Sequence, residues 1–144
     1  MAADPFFGFE VDVKELEAGI WTDFSDIIPG FQILLRSMES ESFTNAQIEY
    51  ALKIADNLDQ KENRKALRDA QLHATADACI LDWKGLPDKK SGKVVKHSKG
   101  MAYRFLTDRK YLQLTRKIDS EIGAISNNLP LLTEERVGNS EARS

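Results

Sequence analysis

Residue types that build metal sites and reactive centres are scarce in this sequence of 144 residues. It has one cysteine, Cys79, which excludes an internal disulfide and a cysteine-based zinc cluster and suits a reducing compartment. Its two histidines, His73 and His97, each lack a second histidine at the spacing of helical metal ligands. No apolar run approaches the roughly 18 residues that cross a bilayer. We therefore expect no metal site and no membrane partner.

Signatures of common enzymes are also missing, including the hydrolase G-x-S-x-G, the phosphate-binding G-x-x-x-x-G-K-[ST] and the dinucleotide-binding G-x-G-x-x-G. His73 and Asp77 are four residues apart and can pair on a helix surface, whereas Cys79 points elsewhere. Asp82 and Asp88 flank a stretch rich in lysine, which favours the ionised state of both. We expect no catalytic residue and no cofactor, and hence a protein that is not an enzyme.

The pattern of apolar residues predicts an α+β fold that is mainly α, with an N-terminal two-stranded β-hairpin packed against about four helices. Residues 1–17 are predicted to form an extended N-terminal arm, residues 18–127 a single globular domain, and residues 128–144 a flexible C-terminal tail. The hairpin rests on β-prone residues at 20–24 and 31–35, which a Pro-Gly turn separates.

Four stretches with helical periodicity follow the hairpin. The first should begin at Thr44, and the second should run from about Arg64 to Trp83 with Gly85 closing its end. Ser98 should start a short helix, and Asp108 should cap the last and most clearly amphipathic one. The residues that we expect to be mostly buried are Trp21, Phe24, Phe31, Ile33, Leu35, Leu67, Ala74, Leu81, Trp83, Phe105, Ile118 and Ile122.

The net charge of −3 conceals a strong asymmetry along the chain. Residues 1–43 carry nine acidic side chains against two basic ones, a balance of −7, and residues 84–117 carry eleven basic against two acidic, a balance of +9. The lysine-rich part has few aromatic residues for base stacking, and the pI is near 5.4. These features favour a solvated loop or a dock for an acidic protein surface over nucleic-acid binding.

Two features of this chain can bind a partner. Three phenylalanines near the start can anchor in a partner or fold back over the hairpin. The oppositely charged segments can attract each other within a subunit or head to tail between copies, giving a homo-oligomer that salt would weaken. The candidate partner-binding residues are Phe6, Phe7, Phe9, Lys89, Lys90, Lys93, Lys96 and Lys99.

Several short motifs follow one another in the order found in a known protein family. Residues 19–24 and 30–38 read as two strands, Asp82 to Leu86 follow an alanine-rich helix, and Ser91 to Lys93 precede two further helices. In this order the sequence resembles the small tail assembly chaperones of tailed bacteriophages over roughly residues 18–140. It departs from them in the lysine-rich loop after Gly92 and in the aromatic N-terminal arm.

The resemblance implies a non-catalytic protein that binds the phage tape measure protein and helps recruit tail tube subunits. Such a protein would act in the host cell cytoplasm and be absent from the mature virion. A structural virion protein, such as a head-tail connector or tail completion protein, is the alternative. A small nucleic-acid-binding regulator is a third class, which a steep salt dependence of DNA binding would reveal.

Overall fold

A computed structural model describes residues 10–128 of the chain. Within these residues it combines five α-helices with one three-stranded antiparallel sheet, an α+β fold. The helices are α1 (Val13–Ala18), α2 (Glu41–Ala51), α3 (Gln60–Ala78), α4 (Lys99–Thr107) and α5 (Leu112–Asn127). The strands are β1 (Ile20–Asp23), β2 (Gln32–Leu35) and β3 (Ile80–Lys84), in the order β1-β2-β3.

The predicted hairpin is confirmed: β1 pairs with β2, with Thr22 opposite Ile33. It follows a helix, however, because α1 occupies the end of the segment predicted to be an extended arm. Asp12 caps α1 by accepting a hydrogen bond from the Lys14 amide at 3.0 Å. Residues 1–9 of the predicted arm and nearly all of the predicted tail lie outside the described residues.

The third strand corrects the prediction of a helix running to Trp83. Helix α3 ends at Ala78, and Ile80–Lys84 instead joins the sheet beside β2, with Trp83 opposite Ile33. Gly85 therefore follows a strand rather than closing a helix. Its φ is +76°, and a Cβ there would lie 2.0 Å from the carbonyl oxygen of Gly30, so only glycine fits this crossing.

The helix starts were predicted in part. Ser98 caps α4 as expected, and Asp108 caps a short 3-10 turn that leads directly into α5. Helix α2 begins at Glu41, not at Thr44, because the Ser40 side chain already accepts a hydrogen bond from the Phe43 amide. Asp59 likewise starts α3 several residues earlier than predicted.

Most of the predicted core is buried, in one cluster that joins the inner face of the sheet to α3, α4 and α5. Two assignments are wrong: the side chains of Trp21 and Leu67 are 42% and 48% exposed. Trp21 lies on the outer face of the sheet, since its neighbour Thr22 shares the inner face with Ile33 and Trp83. Leu81 is half-buried.

Candidate partner-binding surface

Helix α3 buries only small side chains. Its buried residues are Ala70, Ala74, Thr75, Ala76 and Ala78. Small residues let neighbouring backbones approach closely, and α3 packs against α2, α4 and β3. The one leucine at the start of this stripe, Leu67, lies outside the contact and faces solvent.

A groove runs between α2 and α3 on the solvent side of their contact. It consists of two neighbouring hollows of about 510 and 350 Å³, both of which are lined by Ala51 and Leu67. Ile48 adds a further exposed apolar side chain to its wall. Leu52, just beyond α2, is 80% exposed. We call this feature the α2–α3 groove.

The α2–α3 groove is polar at its two ends. Arg68 and Gln71 line one hollow, and Asp56 and Asn63 line the other. Neither Arg68 nor Asp56 forms an ion pair within residues 10–128. The hollow lined by Ile48 and Leu67 is mainly apolar, whereas the other exposes more polar than apolar surface. The apolar hollow suits one face of an amphipathic helix, which inserts apolar side chains at helical spacing.

Next to the groove, a stack of three rings ties α2 to α3 and α4. The His73 ring lies between Tyr50, at a centroid distance of 5.0 Å, and Tyr103, at 3.9 Å. The Tyr50 hydroxyl donates to the Asp77 carboxylate, and the Tyr103 hydroxyl donates to Asp69. These bonds to carboxylates raise the pKa of each tyrosine to about 12. We call this the Tyr–His–Tyr stack.

The predicted pair of His73 with Asp77 is wrong, because Tyr50 binds Asp77 instead. His73 Nε2 lies 3.5 Å from the Asp69 carboxylate, four residues before it on α3. The stack therefore has no unoccupied carboxylate aimed into a cleft. Its geometry holds the end of α2, and with it one wall of the α2–α3 groove, against α3.

The other residues considered for chemistry, Cys79, Asp82 and Asp88, lie in different local environments. Cys79 is fully buried, and burial raises the pKa of its thiol to about 12, so the thiol stays protonated near neutral pH. Asp82 accepts a hydrogen bond from the Trp83 amide, and Asp88 accepts one from Lys90 in a turn. No group of three or more His, Cys, Asp or Glu side chains within the described residues could hold a metal ion.

The lysine-rich loop is well anchored but presents its charges to solvent. The Val95 amide donates to Leu86 at 2.8 Å, and the Trp83 indole donates to the Val95 carbonyl at 2.9 Å. The five candidate lysines are exposed, and none makes an ion pair with another described residue. They are Lys89, Lys90, Lys93, Lys96 and Lys99. The other candidates, Phe6, Phe7 and Phe9, lie outside the described residues.

Sequence reasoning missed the α2–α3 groove. Leu67 fits the period of the alanine stripe, so periodicity alone assigns it to the core. The missed signal is the size of the buried side chains: those of α3, among them Ala70, Ala74 and Ala78, are all small. Large apolar residues on the flanks, such as Ile48 and Leu67, are then left outside.

None of the helices within residues 10–128 is long and apolar enough to cross a membrane.

Comparison with known proteins shows the family to which this chain belongs. No curated protein and no solved structure matches the chain. Residues 37–139 match the family described as YdaY prophage protein, a stretch that includes α2 to α5, the groove and the lysine-rich loop. The chain is thus a phage-related protein and belongs to the YdaY prophage protein family.

Proposed function

We propose that this protein is a tail assembly chaperone of a phage or prophage, which binds the tape measure protein and helps recruit tail tube subunits without catalysing a reaction. The observation that carries the proposal is the α2–α3 groove, whose larger hollow is a solvent-facing and mainly apolar surface. Membership of a prophage family and the ordered motifs at residues 19–24, 30–38 and 82–93 support it.

The physical demand on such a chaperone is reversible masking of apolar helical stripes. A tape measure protein is long and helical, and before assembly its stripes are exposed and prone to aggregate. Full burial of an exposed leucine or isoleucine contributes roughly 1.5–3 kcal/mol, and Leu67 and Ile48, which are about half exposed, can each gain roughly half of this on binding. A few such contacts, offset by the cost of association, give binding that can be released when tube subunits arrive.

The test is co-expression with the tape measure protein of the same phage, measuring how much of it stays soluble. Leu67→Lys puts a charge into the groove and should lower the soluble yield severalfold. Leu112→Lys is the matched control, since Leu112 is a leucine of nearly equal exposure, 46% against 48%, on α5. If both variants keep the tape measure protein equally soluble, the groove does not bind it.

Location separates a chaperone from the alternative, a head-tail connector or tail completion protein. A chaperone acts in the host cytoplasm and leaves before the particle is finished. We expect the protein in lysates of producing cells and not in purified particles, which mass spectrometry of both fractions measures. Its presence in particles at a fixed copy number would identify it as a structural component instead.

A further inference from the structure

The two edge strands of the sheet differ in whether other described residues cover their outward backbone groups. On β1, the Phe24 amide donates to the Phe31 carbonyl at 2.8 Å, which makes 24/31 a hydrogen-bonded pair. In an antiparallel ladder such pairs alternate, so the pairs at 22/33 and 20/35 are bonded too. The amides and carbonyls of Trp21 and Asp23 therefore point away from β2. No described residue pairs with this edge.

The opposite edge, at β3, is covered by the lysine-rich loop. His97 Nε2 lies 3.0 Å from the Ile80 carbonyl oxygen, and Val94 forms a bridge with Pro87. The bonds on either side of that bridge join Asp88 to Lys93 and Val95 to Leu86. The amide and carbonyl of Val94 itself therefore face outward.

These two edges complement each other in chemistry. The β1 edge presents exposed apolar side chains, Ile20 and Trp21, beside the acidic Asp23. The loop edge presents Val94, 64% exposed, between Lys93 and Lys96, which form no ion pair with any residue of the segment 10–128. Because β2 lies between β1 and β3, the two edges face opposite ways and cannot meet within one subunit. They can meet only between copies.

We propose that the β1 edge of one copy binds the segment 93–96 of a second copy, which adds to the sheet as a short fourth strand. The outward backbone groups of Trp21 and Asp23 pair with those of Val94. Val94 packs beside Ile20, and the flanking lysines lie near the acidic edge. The contact is head to tail, so further copies can be added and the assembly stays open-ended.

This interface is separate from the α2–α3 groove and does not depend on the proposed chaperone function. It predicts self-association of the purified full chain that weakens as salt rises, because the Debye length falls from about 10 Å at 0.1 M to about 3 Å at 1 M. Sedimentation velocity across a protein and salt series measures it. A chain that is monomeric at every condition would overturn the proposal.

Two variants test the head-to-tail geometry. Trp21→Lys blocks the β1 edge, and Val94→Glu blocks the loop edge; both side chains are exposed in the subunit, so the fold should survive. Each variant alone should associate at least about tenfold more weakly than the parent. Each also keeps one intact edge, so an equimolar mixture should form a 1:1 dimer that cannot grow.

The mixture distinguishes this interface from others. If the β1 edges paired with each other, Val94→Glu would still dimerise alone, and the proposal would fail. It would also fail if the mixture stayed monomeric with both variants folded by circular dichroism. Leu112→Lys, on α5 and outside both edge segments, should sediment as the parent does. A groove that fails to bind a tape measure protein would leave all these outcomes unchanged.

Discussion

Helices α5 and α3 build their contacts in opposite ways. Helix α5 buries large apolar side chains, Leu114, Ile118 and Ile122, and keeps its polar residues outside. Helix α3 buries mainly alanines and leaves Leu67 half in solvent. The difference shows that an exposed apolar side chain here is not a packing defect. Burial of small residues leaves larger apolar side chains of α2 and α3 at the surface.

The comparison is tested most strongly by removing a large side chain from each helix. Ile118→Ala empties space in the fully buried core and should lower the free energy of unfolding by about 2–5 kcal/mol. Leu67→Ala removes a side chain that is already half in water and should cost less than about 1 kcal/mol. Urea denaturation of both variants measures the two values. Equal losses in the free energy of unfolding would mean that Leu67 packs as a core residue and does not line a solvent-exposed groove.

Much of this fold follows from local sequence rules. The hairpin and α5 could be predicted because each depends on signals carried within a few residues: a Pro-Gly turn between β-prone runs, and apolar residues at steps of three and four. Strand β3 could not. The helical spacing from Ala74 to Ala78 continues to Leu81. The helix nevertheless ends at Ala78, because Ile80–Lys84 forms backbone hydrogen bonds with β2 in the sheet. The paired residues are 45 to 52 positions apart in the chain, so no local pattern reports the pairing.

The candidate surfaces also differ in whether local sequence predicts them. The exposure of the lysines at 89–99 follows from charge alone, because unpaired ammonium groups stay in water. The α2–α3 groove depends on where α2 ends and how closely it packs on α3, which periodicity does not report. The pairing of Tyr50 with Asp77 is likewise set by the packing of two helices, so the sequence suggested the nearer His73 instead.

A smaller effect is expected from enlarging the α3 stripe. Ala74 is fully buried, and Ala74→Leu must push α3 away from its neighbours, at a cost of about 1–3 kcal/mol in the free energy of unfolding. Gln71→Leu, at an exposed position of the same helix, is the matched control and should change stability by less than about 0.5 kcal/mol. If thermal denaturation shows both variants equally stable, close approach is not what fixes this contact.

The smallest effect on stability is expected at the Tyr–His–Tyr stack, which joins α2 to α3 and α4. Its bond to Asp77 raises the pKa of Tyr50 from 10.0 to about 12. Between these pH values the unfolded chain has released the phenolic proton while the folded chain keeps it. Since the folded state then binds more protons, the free energy of unfolding falls as pH rises through this window. Below pH 10 the contribution is fully present.

Tyr50→Phe removes this titration and should flatten the decline in stability between pH 10 and about pH 12. At neutral pH it should cost no more than about 1 kcal/mol, the usual value of one hydrogen bond. Tyr103→Phe should act alike, because the bond to Asp69 raises its pKa to about 12 as well. Tyr111→Phe leaves both carboxylate bonds in place and should keep the parent slope. Urea midpoints across the alkaline range measure all three, and an unchanged slope in Tyr50→Phe would show that the bond to Asp77 does not shift the titration of Tyr50.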